Sequence, residues 1–454
     1  MNNQKIHTPK QLAELFKKKT KCDPPPSSKI YTCNTKSPVR AVAEFEDMGG
    51  VLIAYPGTST QAEPQLPPTA PRSFGIPDEL IIRMQQADSK HPVHVFILCA
   101  DLSQRDGIIS RLSEVAGRLK LPFKPELIQL VPWDTDTFWT RDYGPWWVEN
   151  TTTKYFSIAK HVYTTLGGGS VGLVEGAENV PVTEGLGIFR PNDDYGAVKV
   201  SDYLNAPVRA WNNASWSDGK KLPAIDVHNW YFTGLLDVGG NYMVTGDGII
   251  ASSYLVATQN ELPVYSESQT TDPSPETIEK RMEYITEQLN RFMGIHKYHV
   301  LTDPTGTYIG HIDCWGKFLA PRKILIAKSQ DAKTNAAFDQ IAASFVEEGF
   351  EVFRVMCQDM YIPSPVSSQG PTTAAYTNSL ILNKHVYVPI ATGQYKEYDE
   401  EALNVYKKAL PGYTIVGIPP KAEFPWLGTD AMHCRTRGIP RQVVNDWLKS
   451  QNLL

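Results

Sequence analysis

Three short stretches of the chain hold residues suited to covalent or acid–base chemistry. The first is Phe138-Trp139-Thr140-Arg141-Asp142-Tyr143-Gly144-Pro145-Trp146-Trp147-Val148, which sets an adjacent Arg and Asp among aromatic rings. A charge in such surroundings is costly unless paired or hydrogen-bonded. Two readings follow. Asp142 is one wall of a receptor for a planar cation, guanidinium being the obvious one, with rings stacking on it. Alternatively, Arg141 and Asp142 form a buried ion pair that only holds a loop.

The second stretch is His311-Ile312-Asp313. Residues two apart on a strand face the same side, so both side chains are expected in one space, as an acid or base beside a cation-binding carboxylate. A metal-ligand pair and a surface histidine are the alternatives. The third runs from Ala431 through Met432-His433-Cys434-Arg435-Thr436 to Pro440. Cys434 between His433 and Arg435 predicts an electropositive setting that favours a nucleophilic thiolate. A buried structural thiol is the alternative. His433 is the poorer base candidate, because strand neighbours face opposite ways. Leu236-Asp237-Val238-Gly239-Gly240-Asn241 reads as a turn between strands, or as glycines admitting backbone to a substrate touched by Asp237 or Asn241. Asn378 opens a strand, where it orients a catalytic group or caps a turn.

These residues need a frame, and apolar periodicity outlines one. Strands are expected over 51–55, 93–99, 127–131, 323–328, 351–355, 378–382, 385–389 and 413–418. Helices are expected over 107–119, 274–293, 335–348 and 400–409. In the 274–293 helix, Ile278, Met282, Ile285, Leu289 and Phe292 share a face and Ser274 is placed to cap the start. A polar knot precedes a strand or strand pair around Asp142, Asn241, His311, Asn378 and Cys434. The first interval is the longest and contains 167–216, which reads as an inserted loop. Five ββαβ-like modules about an axis would bring the knots to one end; a layered β-α sandwich fits the strand list nearly as well. Residues 1–40 read as a peripheral N-terminal extension, with a short helix over 4–19 and a Pro-rich linker, and 41–454 as a single catalytic domain.

With 454 residues, 41% of them hydrophobic, the chain can bury a large core, and its net charge of -5 argues against a nucleic-acid partner. No apolar run approaches the ~20 residues of a membrane span, and the polar N-terminus lacks a signal-peptide core. A cytoplasmic protein is expected. None of the six cysteines forms a C-x-x-C pair, so zinc and thioredoxin-type sites are not expected.

Taken jointly, Trp139-Thr140-Arg141-Asp142, His311-x-Asp313, Asn378 and His433-Cys434-Arg435-Thr436 resemble the guanidine-modifying (pentein) superfamily. Within it they look like the bacterial-type peptidylarginine deiminases, related to the agmatine deiminases. Gly428-Thr429-Asp430-Ala431 replaces the glycine-rich approach to the nucleophile of the agmatine branch. The resemblance implies an α/β fold, a five-bladed pseudo-symmetric propeller of ββαβ-type modules. It implies hydrolysis of a guanidinium group to a ureido group and ammonia through a covalent Cys thiouronium. Carried over, Cys434 matches the nucleophile, His311 the general acid/base, and Asp142 and Asp313 the guanidinium carboxylates. Asn378 matches a supporting residue, Trp139 a wall, and Arg190 one arm of a clamp for the carboxylate of a C-terminal arginine. Asn192 stands where a second arm is expected. No metal or organic cofactor is implied. The implied substrates are arginine in peptides or proteins, with agmatine or free arginine as the alternative. A non-enzymatic arginine-binding module is the reading from another class.

Overall fold

Stretches of alternating or continuous apolar residues become short strands, and among the described residues these sort into five separate sheets. The computed structural model describes residues 28–56, 74–163, 191–216, 230–260, 275–305, 310–357, 375–420, 426 and 430–454. One sheet orders Arg437–Pro440, Met48–Ala54, His94–Cys99 and Ile128–Pro132; a second orders Val39–Ala41, Trp146–Asn150, Phe156–Val162 and Trp230–Leu236. A third orders Ser28–Thr32, Lys297–Leu301, Ile249–Ser253 and Tyr242–Val244. The last two order Gly316–Ala320, Lys323–Lys328 and Glu351–Met356, then Leu380–Leu382, His385–Pro389 and Thr414–Ile418.

One pattern runs through all five. An antiparallel pair is followed by a helix and then by a strand parallel to the second of the pair. In the first sheet the antiparallel partner comes from the other end of the chain, Arg437–Pro440 pairing with Met48–Ala54. The turn Asn383-Lys384 between Leu380–Leu382 and His385–Pro389 is tight because Asn383 takes φ 54°, a conformation Asn tolerates.

The helices form where apolar residues recur every three or four positions. Pro275–Met293 buries Met282, Ile285, Leu289 and Met293; the expected cap, Ser274, and the expected 4–19 helix lie outside the described residues. Ala332–Glu347 starts earlier than its periodicity suggests, because Asp331 caps it by accepting from the Thr334 N–H at 2.7 Å.

Two expectations need correction. The 167–216 stretch is not all loop: Pro191–Trp216 is a helix. Pro191 at its first position and Asp193 and Asp194 in its first turn favour helix initiation, and Ala197, Val200 and Leu204 are buried at helical spacing. The boundary at residues 40/41 falls inside the strand Val39–Ala41, and Ser28–Thr32 pairs with Lys297–Leu301. Residues 28–32 and 39–40 therefore belong to the sheets, their backbone groups filling two ladders. Among the described residues no helix is long and apolar enough to cross a membrane.

Candidate active site

Each polar knot sits just ahead of the first strand of its module. Asp142 lies in the short helix Thr140–Tyr143 before Trp146–Asn150. Asn241 ends the 3-10 turn Gly239–Asn241 before Tyr242–Val244. His311 precedes the 3-10 turn Ile312–Cys314, which contains Asp313 and leads to Gly316–Ala320. Asn378 precedes Leu380–Leu382, and Cys434 precedes Arg437–Pro440.

Three of these groups converge on one glycine. A Cβ added to Gly240 would lie 2.7 Å from His311 Nδ1, 2.8 Å from Asp142 Oδ1 and 3.2 Å from Asp313 Oδ2. The Gly240 N–H donates to Asp142 Oδ1 at 3.2 Å. Gly239 permits the approach, since a Cβ there would sit 2.0 Å from the Arg141 carbonyl oxygen. The glycines thus form a turn and also bring backbone to the site. His311 and Asp313 share a space as expected, but through a 3-10 turn and not through strand alternation.

Cys434 joins the group through the same Asp313 Oδ2. Its thiol donates to Asp313 Oδ2 at 3.3 Å and its sulfur accepts from Asn378 Nδ2 at 3.1 Å. Asn378 grips the cysteine segment further: its Oδ1 accepts from the N–H groups of Ala431 (3.0 Å) and Cys434 (3.2 Å), and its carbonyl from the His433 N–H at 3.1 Å. Asn378 therefore orients the sulfur. Its 0% exposure leaves water no share in these bonds.

The electrostatics correct one expectation. Arg435 does not face the thiol. It pairs with Asp430 at 2.7 Å, donates to the Gly75 carbonyl and lies over the rings of Phe138 (4.9 Å) and Trp426 (5.5 Å). Burial, Asp313 and Asp430 instead push the Cys434 thiol well above its ordinary range, so it is protonated in the free protein. Burial also drives His311 down to about 4 against the pull of Asp313 and Asp430, leaving a neutral imidazole at pH 7. Neither ring nitrogen of His311 has a hydrogen-bond partner among the described residues, and Nδ1 stands 3.8 Å from Asp142 Oδ1.

His433 contradicts the alternation argument as well. Residues 432–435 form a turn, so His433 and Cys434 both reach Asp313 Oδ2, the histidine through Nδ1 at 2.7 Å. His433 Nε2 lies 2.9 Å from Glu44 Oε2. Burial, Arg141 and Lys317 lower the pKa of His433, while two acceptor-only carboxylates favour the doubly protonated ring. Burial raises Asp313, but the bond and charge of His433 outweigh it and hold the carboxyl below its ordinary value. Glu44, buried against Lys317 (2.7 Å), is likewise held well below the carboxylate range by Lys317, His433 and Arg141. Glu44, Lys317 and Asp430 escaped the sequence reading. Only Asp430, in the cysteine knot itself, lay within reach of a local pattern.

The remaining candidates divide. Trp139 is half-buried and donates Nε1–H to Asp430 Oδ2 at 2.9 Å, a position fit for a wall. Asn241 accepts from the Ser253 hydroxyl at 2.7 Å, and that hydroxyl also lies 2.5 Å from the Gly310 carbonyl, beside His311. Asp237 makes no hydrogen bond to this group. Its Oδ1 accepts from the Val238 N–H at 2.8 Å, and burial raises it to about 7. Arg190 lies outside the described residues. Asn192 is committed to Asp136, at 3.0 Å through Nδ2. Arg141 holds the cysteine turn, donating from its N–H to the Cys434 carbonyl and from Nε to the His433 carbonyl, both at 3.1 Å. Among the described residues no group of three or more His, Cys, Asp or Glu side chains is arranged to hold a metal.

Residues 267–440 match the family model of the Porphyromonas-type peptidyl-arginine deiminases. The chain is 27% identical over 184 residues to an inferred agmatine deiminase of Vibrio parahaemolyticus, a match covering 34% of this chain and about half (48%) of that relative. It is 22% identical over 347 residues to the agmatine deiminase of Medicago truncatula, covering 70% and 79%. Its fold is that of the agmatine deiminase of Enterococcus faecalis, with a TM-score of 0.55 at 19% identity over 90% of this chain and 99% of the other. The family match over residues 267–440, the relatives and the shared fold make this chain similar to the Porphyromonas-type peptidyl-arginine deiminases and to the agmatine deiminases.

Proposed function

We propose that this protein hydrolyses the guanidinium group of arginine in peptides or proteins to a ureido group and ammonia, with Cys434 as nucleophile. The observation that carries the reading is the meeting of Asp142, Asp313 and a neutral His311, whose ring nitrogens have no hydrogen-bond partner among the described residues, at Gly240, with the Cys434 thiol bonded to Asp313 Oδ2. Two carboxylates suit a planar cation, which they hold by charge-assisted hydrogen bonds. Cation binding offsets the negative field that keeps Cys434 protonated. The thiol proton passes to His311, and the thiolate attacks the central guanidinium carbon. The imidazolium of His311 then protonates the departing ammonia, leaving a thiouronium on Cys434. A water that His311 deprotonates attacks this adduct, the C–S bond breaks, and the ureido product leaves.

Peptidyl arginine is preferred because of the family matched at 267–440; the curated relatives named for agmatine favour agmatine as the second reading. The five ββαβ sheets support a five-bladed propeller with this site at its centre and one domain over residues 28–454. An arginine-binding module without turnover is the weaker alternative, since binding needs neither Cys434 nor His311. Incubation with peptides bearing internal or C-terminal arginine, with free arginine and with agmatine, followed by ureido assay, tests the reading. Peptide turnover is expected to exceed the others, and faster turnover of agmatine would favour the second reading. No product from any of them would overturn the reading. The Cys434→Ala protein is expected to be inert, and surviving activity would rule out the covalent route.

A further inference from the structure

A cavity of about 40 Å³ is lined by Arg141, Lys317, Arg437, Glu44, His433 and Tyr242 together with apolar side chains. One water needs roughly 10–15 Å³ on this measure, so the space holds a few waters or one small ion. Its wall is rich in positive charge. Lys317 is satisfied by Glu44 and by the Ser379 carbonyl, each at 2.7 Å. Glu44 is fully engaged, Oε2 by Lys317 and His433 and Oε1 by the Ile381 N–H at 2.8 Å. It reaches Arg141 Nη2 only at 3.9 Å.

Arg141 has a buried donor left over, and Arg437 adds a second guanidinium to the same wall. Arg141 is 4% exposed, and its buried Nη2 has no hydrogen-bond partner among the described residues. Arg437 donates from Nε to the Pro145 carbonyl at 2.7 Å. Burial and Arg141 push Arg437 down to about 9, still cationic at neutral pH. Three cationic side chains thus face one carboxylate around this space, where unpaired buried charge is costly. Water fills such a space but brings no compensating charge.

We propose that this cavity binds one small monovalent anion of the halide class between the guanidinium groups of Arg141 and Arg437. The site is separate from the catalytic groups and independent of the substrate. Its effect on them runs through Arg141, which holds the carbonyls of His433 and Cys434.

Bromide reports on the site directly. Crystals of the full chain soaked in sodium bromide are expected to show an anomalous peak in the cavity within hydrogen-bond distance of Arg141 Nη2. Water density without an anomalous signal would overturn the proposal. In solution, thermal melting at constant ionic strength is expected to show a saturable rise of about 2 °C when chloride replaces gluconate, abolished in Arg437→Gln. An equal Tm in both salts, or an undiminished shift in Arg437→Gln, would also overturn it. The bromide measurement uses the unmodified protein, so it stands if the variant misfolds. None of these readouts depends on turnover, so failure of the deiminase reading and failure of the anion site are distinguishable.

Discussion

At the scale of single residues, the site is organised by who satisfies whom. Cys434 is oriented by Asn378, Asp313 is shared by Cys434 and His433, and His433 is backed by Glu44. Within this group His311 keeps both ring nitrogens without a hydrogen-bond partner among the described residues, which suits the proton-transfer role proposed for it. Glu44 is the hinge of the supporting network, because it is the carboxylate that neutralises Lys317 and the outer nitrogen of His433. Removing one partner of a buried pair leaves an uncompensated charge. Glu44→Gln is therefore expected to destabilise the protein by about 3–5 kcal/mol in urea denaturation. A loss under about 1 kcal/mol, the range of exposed pairs, would show that this network is solvated.

At the scale of elements, short turns matter more than the strands they precede. The 3-10 turns Gly239–Asn241 and Ile312–Cys314 bring backbone and side chains from two modules against Asp142. Gly240 is the contact point, and its lack of a side chain leaves room for a substrate. Gly240→Ala would put a methyl 2.7 Å from His311 Nδ1 and 2.8 Å from Asp142 Oδ1. It is expected to lower kcat/KM on the preferred substrate by about 100-fold while leaving the far-ultraviolet circular dichroism unchanged. Full activity in this variant would show that the substrate does not enter beside Gly240. The helix Pro191–Trp216 acts on the site from further out. Buried Asp193 accepts from the N–H groups of Asp136 (2.9 Å) and Thr137 (3.0 Å) and from the Thr137 hydroxyl (2.7 Å), fixing the segment that leads to Trp139 and Asp142.

At the scale of the molecule, burial of ionisable groups sets the pH response. Burial lowers His94, His161, His299 and His311 from 6.5 to about 4, 3, 4 and 4. The unfolded chain takes up these protons near pH 6.5 and the folded chain only near 3–4. Between those limits the unfolded state binds more protons, so stability falls as pH falls. Asp237 and Asp303, raised by burial to about 7 and about 6, act in the opposite sense over part of the window. Four histidines outweigh two carboxyls, and the urea midpoint at pH 5 is expected to lie below that at pH 7. A midpoint at pH 5 equal to or above that at pH 7 would contradict this balance.

The sequence alone determined the local grammar and the cast. The strand and helix periods, the order of Asp142, His311, Asp313, Asn378 and Cys434, and their place ahead of strands are all readable, because apolar period and motif spacing are properties of neighbouring residues. The helix Pro191–Trp216 is the element the sequence reading missed: its glycine and asparagine suggested a loop, although Ala197, Val200 and Leu204 recur at helical spacing. What only the tertiary structure decided is the state of those groups. Arg435 beside Cys434 in sequence is spent on Asp430, while Asp313, distant in sequence, sets the thiol's field. His433 serves Asp313 and Glu44 because a turn, and not a strand, carries it. The physical reason is that charge state and orientation depend on burial and on through-space partners, and both arise only when separate modules pack together.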